Sequence, residues 1–217
     1  IDQDTYRSTL MMLDYTTRQQ LLHGIWIRDD GGQLYKYDKA RNAIELLPRL
    51  DRNWRYILGV DLGASSKDAT TAFVVVAYSY TDPDTIYICE SQAFAGMMPS
   101  SCAEEIRGWH ERYNFEVIVC DAGALGVGYV SEFVSRYGLP VRPARKQDKL
   151  ANRRLMNGDF ERGTIKIISS ACETLIKEYE SLQWNSKGLD NDPTQADHES
   201  DAALYSWREA KHYLAEV

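Results

Sequence analysis

The stretch YILGVDLGASSKDAT, Tyr56 to Thr70, runs β-rich and apolar into one acidic residue, Asp61, and then breaks into glycine and small polar residues. A buried strand should carry another valine there, so the carboxylate needs a reason. Arg55 opens a strand region. Strands are expected over 56–61, 70–80 (TTAFVVVAYSY) and, after a TDPDT turn, 85–94 (TIYICESQAF). Three strands on short connections predict an antiparallel meander. A helix over 101–113 then leads to a strand FEVIVCD (115–121), a glycine-rich turn, a helix over 126–137 and a strand over 139–143. Strands separated by helices require crossovers and hence parallel pairing, so the expected fold is α/β, a mixed sheet with helices on both faces.

The event at Asp61 happens twice. FEVIVCDAGALGVG ends a second apolar strand in Asp121, again followed by small residues and glycine. Carboxylates at the C-terminal ends of neighbouring strands lie on the rim where open α/β sheets place their ligands. A third acidic group comes from DNDPTQADHESDAALYSWREA, where Pro193 precedes a helix carrying Asp197 and Asp201 four residues apart, on one face. Ala202 and Ala203 are small enough to bring that helix close to the sheet.

Each acid has a plainer reading. Taken alone, Asp121 reads as a turn or N-cap residue, and Asp68 as the residue closing the turn after the first strand. Asp197 reads equally as a ligand or as first-turn charge behind a Thr194 N-cap. His198 reads as a hydrogen-bonding neighbour rather than a ligand. Asp61 resists such readings because it lies within the apolar run, and LGASS frees backbone space beside it. Convergence of two strand-end carboxylates and a helical one favours a shared function. Three uncompensated carboxylates repel, and the usual remedy is a hard divalent cation with oxygen ligands, Mg²⁺ or Mn²⁺.

Composition narrows the classes. The chain has 217 residues, is 44% hydrophobic and 26% charged, and has room for one sizeable core, two at most. Cys89, Cys102, Cys120 and Cys172 are widely spaced with no CxxC pair, which reads as buried reduced thiols rather than a disulfide or zinc framework. No apolar run approaches the ~18–20 residues that cross a bilayer. A net charge of −7 argues against nonspecific nucleic-acid binding by the whole surface and leaves room for a local basic patch. The first residue is Ile1, which reads as a piece of something longer. Residues 1–50 hold a helical stretch, STLMMLDYTTRQQLLHGIW, then RDDGGQ as a turn and a short polar segment to Pro48. That is too little apolar material for a second core, so this leader is expected to dock on the main unit.

The meander carrying GVDLG, the strand ending VCDAG and the late helix carrying DHESDAALYSW together resemble the ribonuclease H-like nuclease fold. More narrowly, the wording resembles the nuclease domain of the large terminase subunit of tailed bacteriophages. RQQLLHGIW is similar to the segment by which that family passes from its motor ATPase to its nuclease. The resemblance covers nearly the whole chain and implies two parts, a leader over 1–54 following a missing ATPase domain and a nuclease domain over 55–217. No GxxxxGK[ST] phosphate loop occurs, so the motor half is not in this sequence.

Carried over residue by residue, the resemblance makes Asp61, Asp121 and Asp201 the catalytic, metal-binding triad, with Asp61 bridging two ions and Asp68 and Asp197 second-rank candidates. It implies a DNA endonuclease that cuts concatemeric viral DNA during genome packaging, using two Mg²⁺ or Mn²⁺ ions ~3.5–4 Å apart in an in-line displacement. The implied partners are double-stranded DNA, the ATPase motor of the same full-length chain, the small terminase subunit and the portal. The implied location is the cytoplasm of the infected bacterial host, with no membrane involved.

An acidic nuclease needs somewhere to hold DNA. RPARKQDKLANRR sets Arg142, Arg145, Lys146, Lys149, Arg153 and Arg154 against Asp148 alone. Many such runs are solvated helix faces. This one follows the last predicted parallel strand and should emerge on the rim with the acids. Arg145, Lys146, Lys149, Arg153 and Arg154 are therefore expected to contact phosphate without reading sequence. Lys146 is also placed to orient the scissile phosphate, and metal binding is expected not to depend on the run. A strand, a helix and a short DNA-facing hairpin near Gly188 are expected after it, with Lys166 and Lys187 as the fallback DNA path.

Two other classes compete. A phosphotransferase of the actin and sugar-kinase fold also uses a GxDxG strand turn, but needs a second phosphate loop and a duplicated domain. A catalytically silent module gripping DNA or a portal has no need of three intact acids.

Overall fold

In a computed structural model of the chain, residues 2–25, 32–49, 53–63, 69–121, 126–185 and 190–215 are described. Asp68, Lys187, Gly188 and most of the RDDGGQ turn fall outside them.

The expected meander forms. Strands β2 (Arg55–Asp61), β3 (Thr70–Ser79) and β4 (Asp82–Ala95) follow β1 (Ala43–Ile44), and β2–β3 and β3–β4 pair antiparallel. Strand β5 (Val117–Asp121) adds to β2 in parallel, and β6 (Val141–Pro143) adds to β5 in parallel. On the other side β7 (Ile165–Ile168) runs parallel to β4, and β1 parallel to β7. Among the described residues the sheet has seven strands, in the order β1-β7-β4-β3-β2-β5-β6.

Helices cover both faces because every central strand is apolar on both. In β3, Ala72, Val74, Val76 and Tyr78 enter one core cluster while Phe73, Val75 and Ala77 enter the other, the period-two alternation of a doubly buried strand. The second cluster is closed by Cys102, Ala103, Ile106 and Trp109 of α4 (Pro99–Tyr113) and by Val130 and Phe133 of α5 (Gly126–Tyr137). The first is closed by Met156 and Phe160 of α6 (Lys149–Arg162), Leu175 and Tyr179 of α7 (Glu173–Ser181), and Ala202, Ala203 and Leu204 of α8 (His198–Ala215). All four cysteines are buried and free.

The leader departs from its expected form. Its single helical stretch is two helices, α1 (Gln3–Met11) and α2 (Tyr15–His23). Asp14 divides them by accepting the Thr17 N–H at 3.0 Å as an N-cap, which satisfies a donor that continuous helix would have left to the previous turn. The polar segment is not merely polar either. Leu34 and Tyr35 are completely buried in the first core cluster, and after α3 (Lys39–Asn42) the chain forms the edge strand β1. Buried Asn42 fastens this part, its side-chain amide donating to the carbonyls of Phe160 and Ile165 at 3.0 Å each. Among the described residues no helix is long and apolar enough to cross a membrane.

Candidate active site

Strand parity aims the two strand-end acids. In β2, Ile57 faces the first core cluster while Leu58 and Val60 face the second, so Gly59 and Asp61 share the side of Ile57. In β5, Val117 and Val119 face the first cluster, which puts Asp121 on that same side. The parallel register sets Asp61 directly beside Asp121. That face is the one covered by α8, which carries Asp201.

Gly59 lets α8 lie that close. A Cβ at this position would collide with the backbone carbonyl of Ala202 and stand 2.9 Å from Ser206 Oγ. The glycine of GVDLG is thus the groove into which the Ala202 turn of α8 settles. Gly63, just past Asp61, donates its N–H to Thr71 Oγ1 at 3.2 Å. The start of α8 is fixed from α7: the buried Glu178 carboxylate accepts the N–H groups of Glu199 at 3.3 Å and Ser200 at 2.7 Å. Burial pushes Glu178 up to about 7 against those two bonds. Helix α8 begins at His198, and the Asp197 carbonyl accepts the Asp201 N–H at 2.9 Å. Asp197 therefore sits one residue before the helix. The Thr194 cap, one of the two readings of this stretch, does not form, since Thr194 is held in a turn by Asp192 at 2.7 Å.

Each acid has a cation or hydroxyl of its own. Asp61 Oδ2 lies 2.9 Å from His198 Nδ1. Asp121 accepts from Tyr205 Oη at 2.9 Å and pairs with Lys146 at 2.7 Å. Asp201 Oδ2 pairs with Lys149 at 2.6 Å, and Lys149 lies 3.9 Å from Asp197. The Arg153 guanidinium approaches Asp201 Oδ1 to 3.8 Å without a hydrogen bond, and that buried oxygen has no hydrogen-bond partner.

Burial raises Asp61, the His198 bond opposing and the nearby charges of Asp121 and Asp197 adding. Burial likewise raises Asp201 to about 6, with Lys149 opposing and Asp197 adding. His198 is raised by its bond to Asp61, burial opposing. A carboxylate raised in the folded state contributes stability that is complete below its unfolded value near 3.8 and is lost as pH climbs through about 6. Asp201 should therefore contribute less to the stability of the metal-free chain as pH rises across that window, an effect removed in Asp201→Asn. Urea unfolding of the metal-free chain from pH 4 to 7 checks it, and a contribution that does not fade across that window would contradict it.

The structure brings together Asp61, Asp121, Asp201 and Asp197, with Lys146 and Lys149. It corrects the reading of the basic run. Arg153 is 1% exposed, hydrogen-bonded to Asp190 at 3.0 Å and flanked by the rings of Tyr35 and Trp184, so it has no surface to offer a phosphate. The run also does not stand apart from the acids, because Lys146 and Lys149 hold two of them directly. Arg145 is exposed and Arg154 partly so. Lys166 points elsewhere, to the Arg41 carbonyl at 2.7 Å beside β7. Near the expected hairpin, Trp184 and Asn191 form an antiparallel bridge, and the Asn185 N–H donates to the Asp190 carbonyl at 2.7 Å. His198, which reads from sequence as a neighbour, is the hydrogen-bond partner of Asp61. Sequence reasoning misses Tyr205, although its position four residues after Asp201 places it on the same helix face.

Among the described residues no three His, Cys, Asp or Glu side chains already enclose a metal site. The donors nonetheless fit a hard cation. They are carboxylate oxygens from three elements on one rim, with one buried oxygen of Asp201 unpartnered and amines standing where positive charge is wanted.

A mixed seven-stranded sheet with helices on both faces and acids at the ends of β2 and β5 and on α8 defines a ribonuclease H-like protein. Residues 58–207 match the model of the terminase RNaseH-like domain family, and the chain belongs to that family. Among solved structures, a large terminase from a thermophilic bacteriophage aligns with a TM-score of 0.72 at 18% identity, over 94% of this chain and 50% of that one. This chain thus spans about half the length of that terminase. The g2p large terminase nuclease domain of bacteriophage SPP1, with bound Mn, aligns at 0.56 and 19% identity over 77% of this chain and 96% of that one. The large terminase nuclease of thermophilic phage G20c, with bound magnesium, aligns at 0.61 and 13% identity over 81% and 97%. No curated protein matches the chain.

Proposed function

We propose that this chain is the nuclease part of a phage large terminase, a divalent-metal-dependent endonuclease that cuts concatemeric double-stranded DNA during genome packaging. The observation that carries the reading is the meeting of Asp61, Asp121 and Asp201 on one rim, two placed by strand register and one by a helix seated on Gly59. Family membership and the Mn and magnesium bound by the SPP1 and G20c domains support it.

Asp61, Asp121 and Asp201 would hold two Mg²⁺ or Mn²⁺ ions, with Asp61 shared and Asp197 and Asp68 as further candidates. When bound, such ions supply an activated water and charge stabilisation for the leaving 3′ oxygen. The chain's residues set that chemistry up. His198 and Tyr205 fix the orientation of the Asp61 and Asp121 carboxylates through single hydrogen bonds. Gly59 and the Glu178 cap fix Asp201 through the seat and the first turn of α8.

The reading extends to a leader over 1–54 and a nuclease unit over 55–217, with Leu34, Tyr35 and β1 of the leader built into the nuclease core. It includes an ATPase motor in the full-length chain, the small terminase subunit and the portal as partners, and the host cytoplasm as the place of action. Plasmid nicking with Mg²⁺ and with Mn²⁺, and EDTA as control, tests it. Relaxed and linear products with metal alone are expected, and intact supercoiled plasmid under all conditions would sink the reading.

Phosphate contact falls to the outward members of the basic run, Arg145 and Arg154. Replacing both with alanine should weaken duplex binding equally on unrelated sequences. The log–log salt dependence should flatten by roughly 0.9 for each phosphate no longer neutralised. Fluorescence anisotropy on two duplexes at several salt concentrations measures this, and an unchanged slope would move the DNA path elsewhere.

A further inference from the structure

Asp201 is met by two cations of different character. Arg153 is 1% exposed, lies with its guanidinium 5.6 Å from the Tyr35 ring centroid and 5.9 Å from that of Trp184, and donates to Asp190. It has no second place to go. Lys149 is on the first turn of α6, 27% of its side chain is exposed, and its Nζ spans Asp201 Oδ2 at 2.6 Å and Asp197 at 3.9 Å. A flexible four-carbon stem lets that ammonium swing to solvent at small cost. The same arrangement recurs at Asp121, where Lys146 holds one oxygen at 2.7 Å with 57% of its side chain exposed.

We propose that Lys149 is a resident counter-cation of the metal site: in the metal-free chain its ammonium neutralises Asp201 and Asp197, and a divalent ion entering at Asp201 must displace it. The inference rests on the metal-binding reading above. Two positive groups already lie within 4 Å of the Asp201 carboxylate, and a third centre of charge +2 cannot share it with both without strong repulsion. Oδ1 is buried beside the caged Arg153, so a divalent ion reaches the carboxylate from the side of Oδ2, where Lys149 is the group free to leave. Once displaced, its amine is free at the rim, where a DNA phosphate can take it up. Metal loading and the positive charge offered to DNA are then one linked event. A lysine that only clamped α6 to α8 would behave differently, since its loss would loosen the acids and weaken metal binding.

Calorimetric titration of Mn²⁺ into the wild-type chain, Lys149→Met and Lys149→Gln at mildly alkaline pH separates these. Met matches the four-atom aliphatic stem, Gln puts a neutral amide near its end, and both remove the charge. They should bind Mn²⁺ roughly three- to tenfold more tightly than wild type, the scale of an ion pair between exposed and buried, while their metal-free forms melt lower. Unchanged or weaker Mn²⁺ affinity in the variants would overturn the proposal. If the wild type binds no Mn²⁺ at all, the metal reading itself fails and the proposal with it. A readout in the wild type needs no variant to fold: the ¹⁵Nζ resonance of Lys149, hydrogen-bonded without metal, should shift and exchange faster on saturation with Mg²⁺. Retention of its metal-free position at saturation would also overturn the proposal.

Discussion

Asp61→Asn is expected to lower plasmid cleavage by at least about a thousandfold, the scale seen when one member of a catalytic unit is removed, while leaving the fold intact. The amide has the carboxylate's shape and can still accept from His198, so the pairing of β2 with β3 and β5 has no reason to change. What is lost is the charge at the centre of the rim. Asp61 is the acid flanked by Asp121 in register and by His198 and Asp197 from the start of α8, and burial raises its carboxyl, a cost that a nearby cation relieves. Circular dichroism and thermal unfolding should match wild type or exceed it slightly, because a strained charge has been removed. Cleavage within a few-fold of wild type would remove Asp61 from the site.

Gly59→Val should act on the fold first and on the site through it. The added Cβ meets the Ala202 carbonyl, a backbone atom that no rotamer change can move aside, so α8 must lift from the sheet. Overpacking of this kind costs about 3 kcal/mol or more, the upper part of the usual range, because the obstacle is main chain. The same displacement carries Asp201 away from Asp61 and Asp121, so Mn²⁺ affinity should fall even in the fraction that remains folded. Urea unfolding and Mn²⁺ titration check the two parts. A midpoint and affinity close to wild type would mean that α8 does not depend on this seat.

The contrast between these positions marks how far the sequence could be read. The meander, the parallel addition of β5 and β6 and the rim position of Asp61 and Asp121 were legible, because alternation, strand length and an acid closing an apolar run are local signals. Asp201 was legible through helical spacing and small neighbours. The partners were not. Lys149 meets Asp201 from 52 residues away and Lys146 meets Asp121 from a separate loop, pairings made by the tertiary fold alone. The basic run consequently read as a DNA face when half of it turns inward. Arg153 shows why: charge count says nothing about burial, and only the cage of Tyr35, Trp184 and Asp190 makes a buried guanidinium tolerable. Strand β1 was hidden for a related reason. Two residues carry no periodicity, and their place in the sheet is decided by β7, more than a hundred residues later.

Asp61, Asp121 and Asp201 are proposed to hold divalent ions together, without help from a nucleotide. Calorimetric titration of Mn²⁺ into the metal-free chain, with no ATP present, measures this. Two ions should bind to the wild-type chain, and both should be lost in Asp61→Asn, whose residue would be shared between them. No saturable Mn²⁺ binding by a folded wild-type chain, or two ions retained in Asp61→Asn, would contradict it.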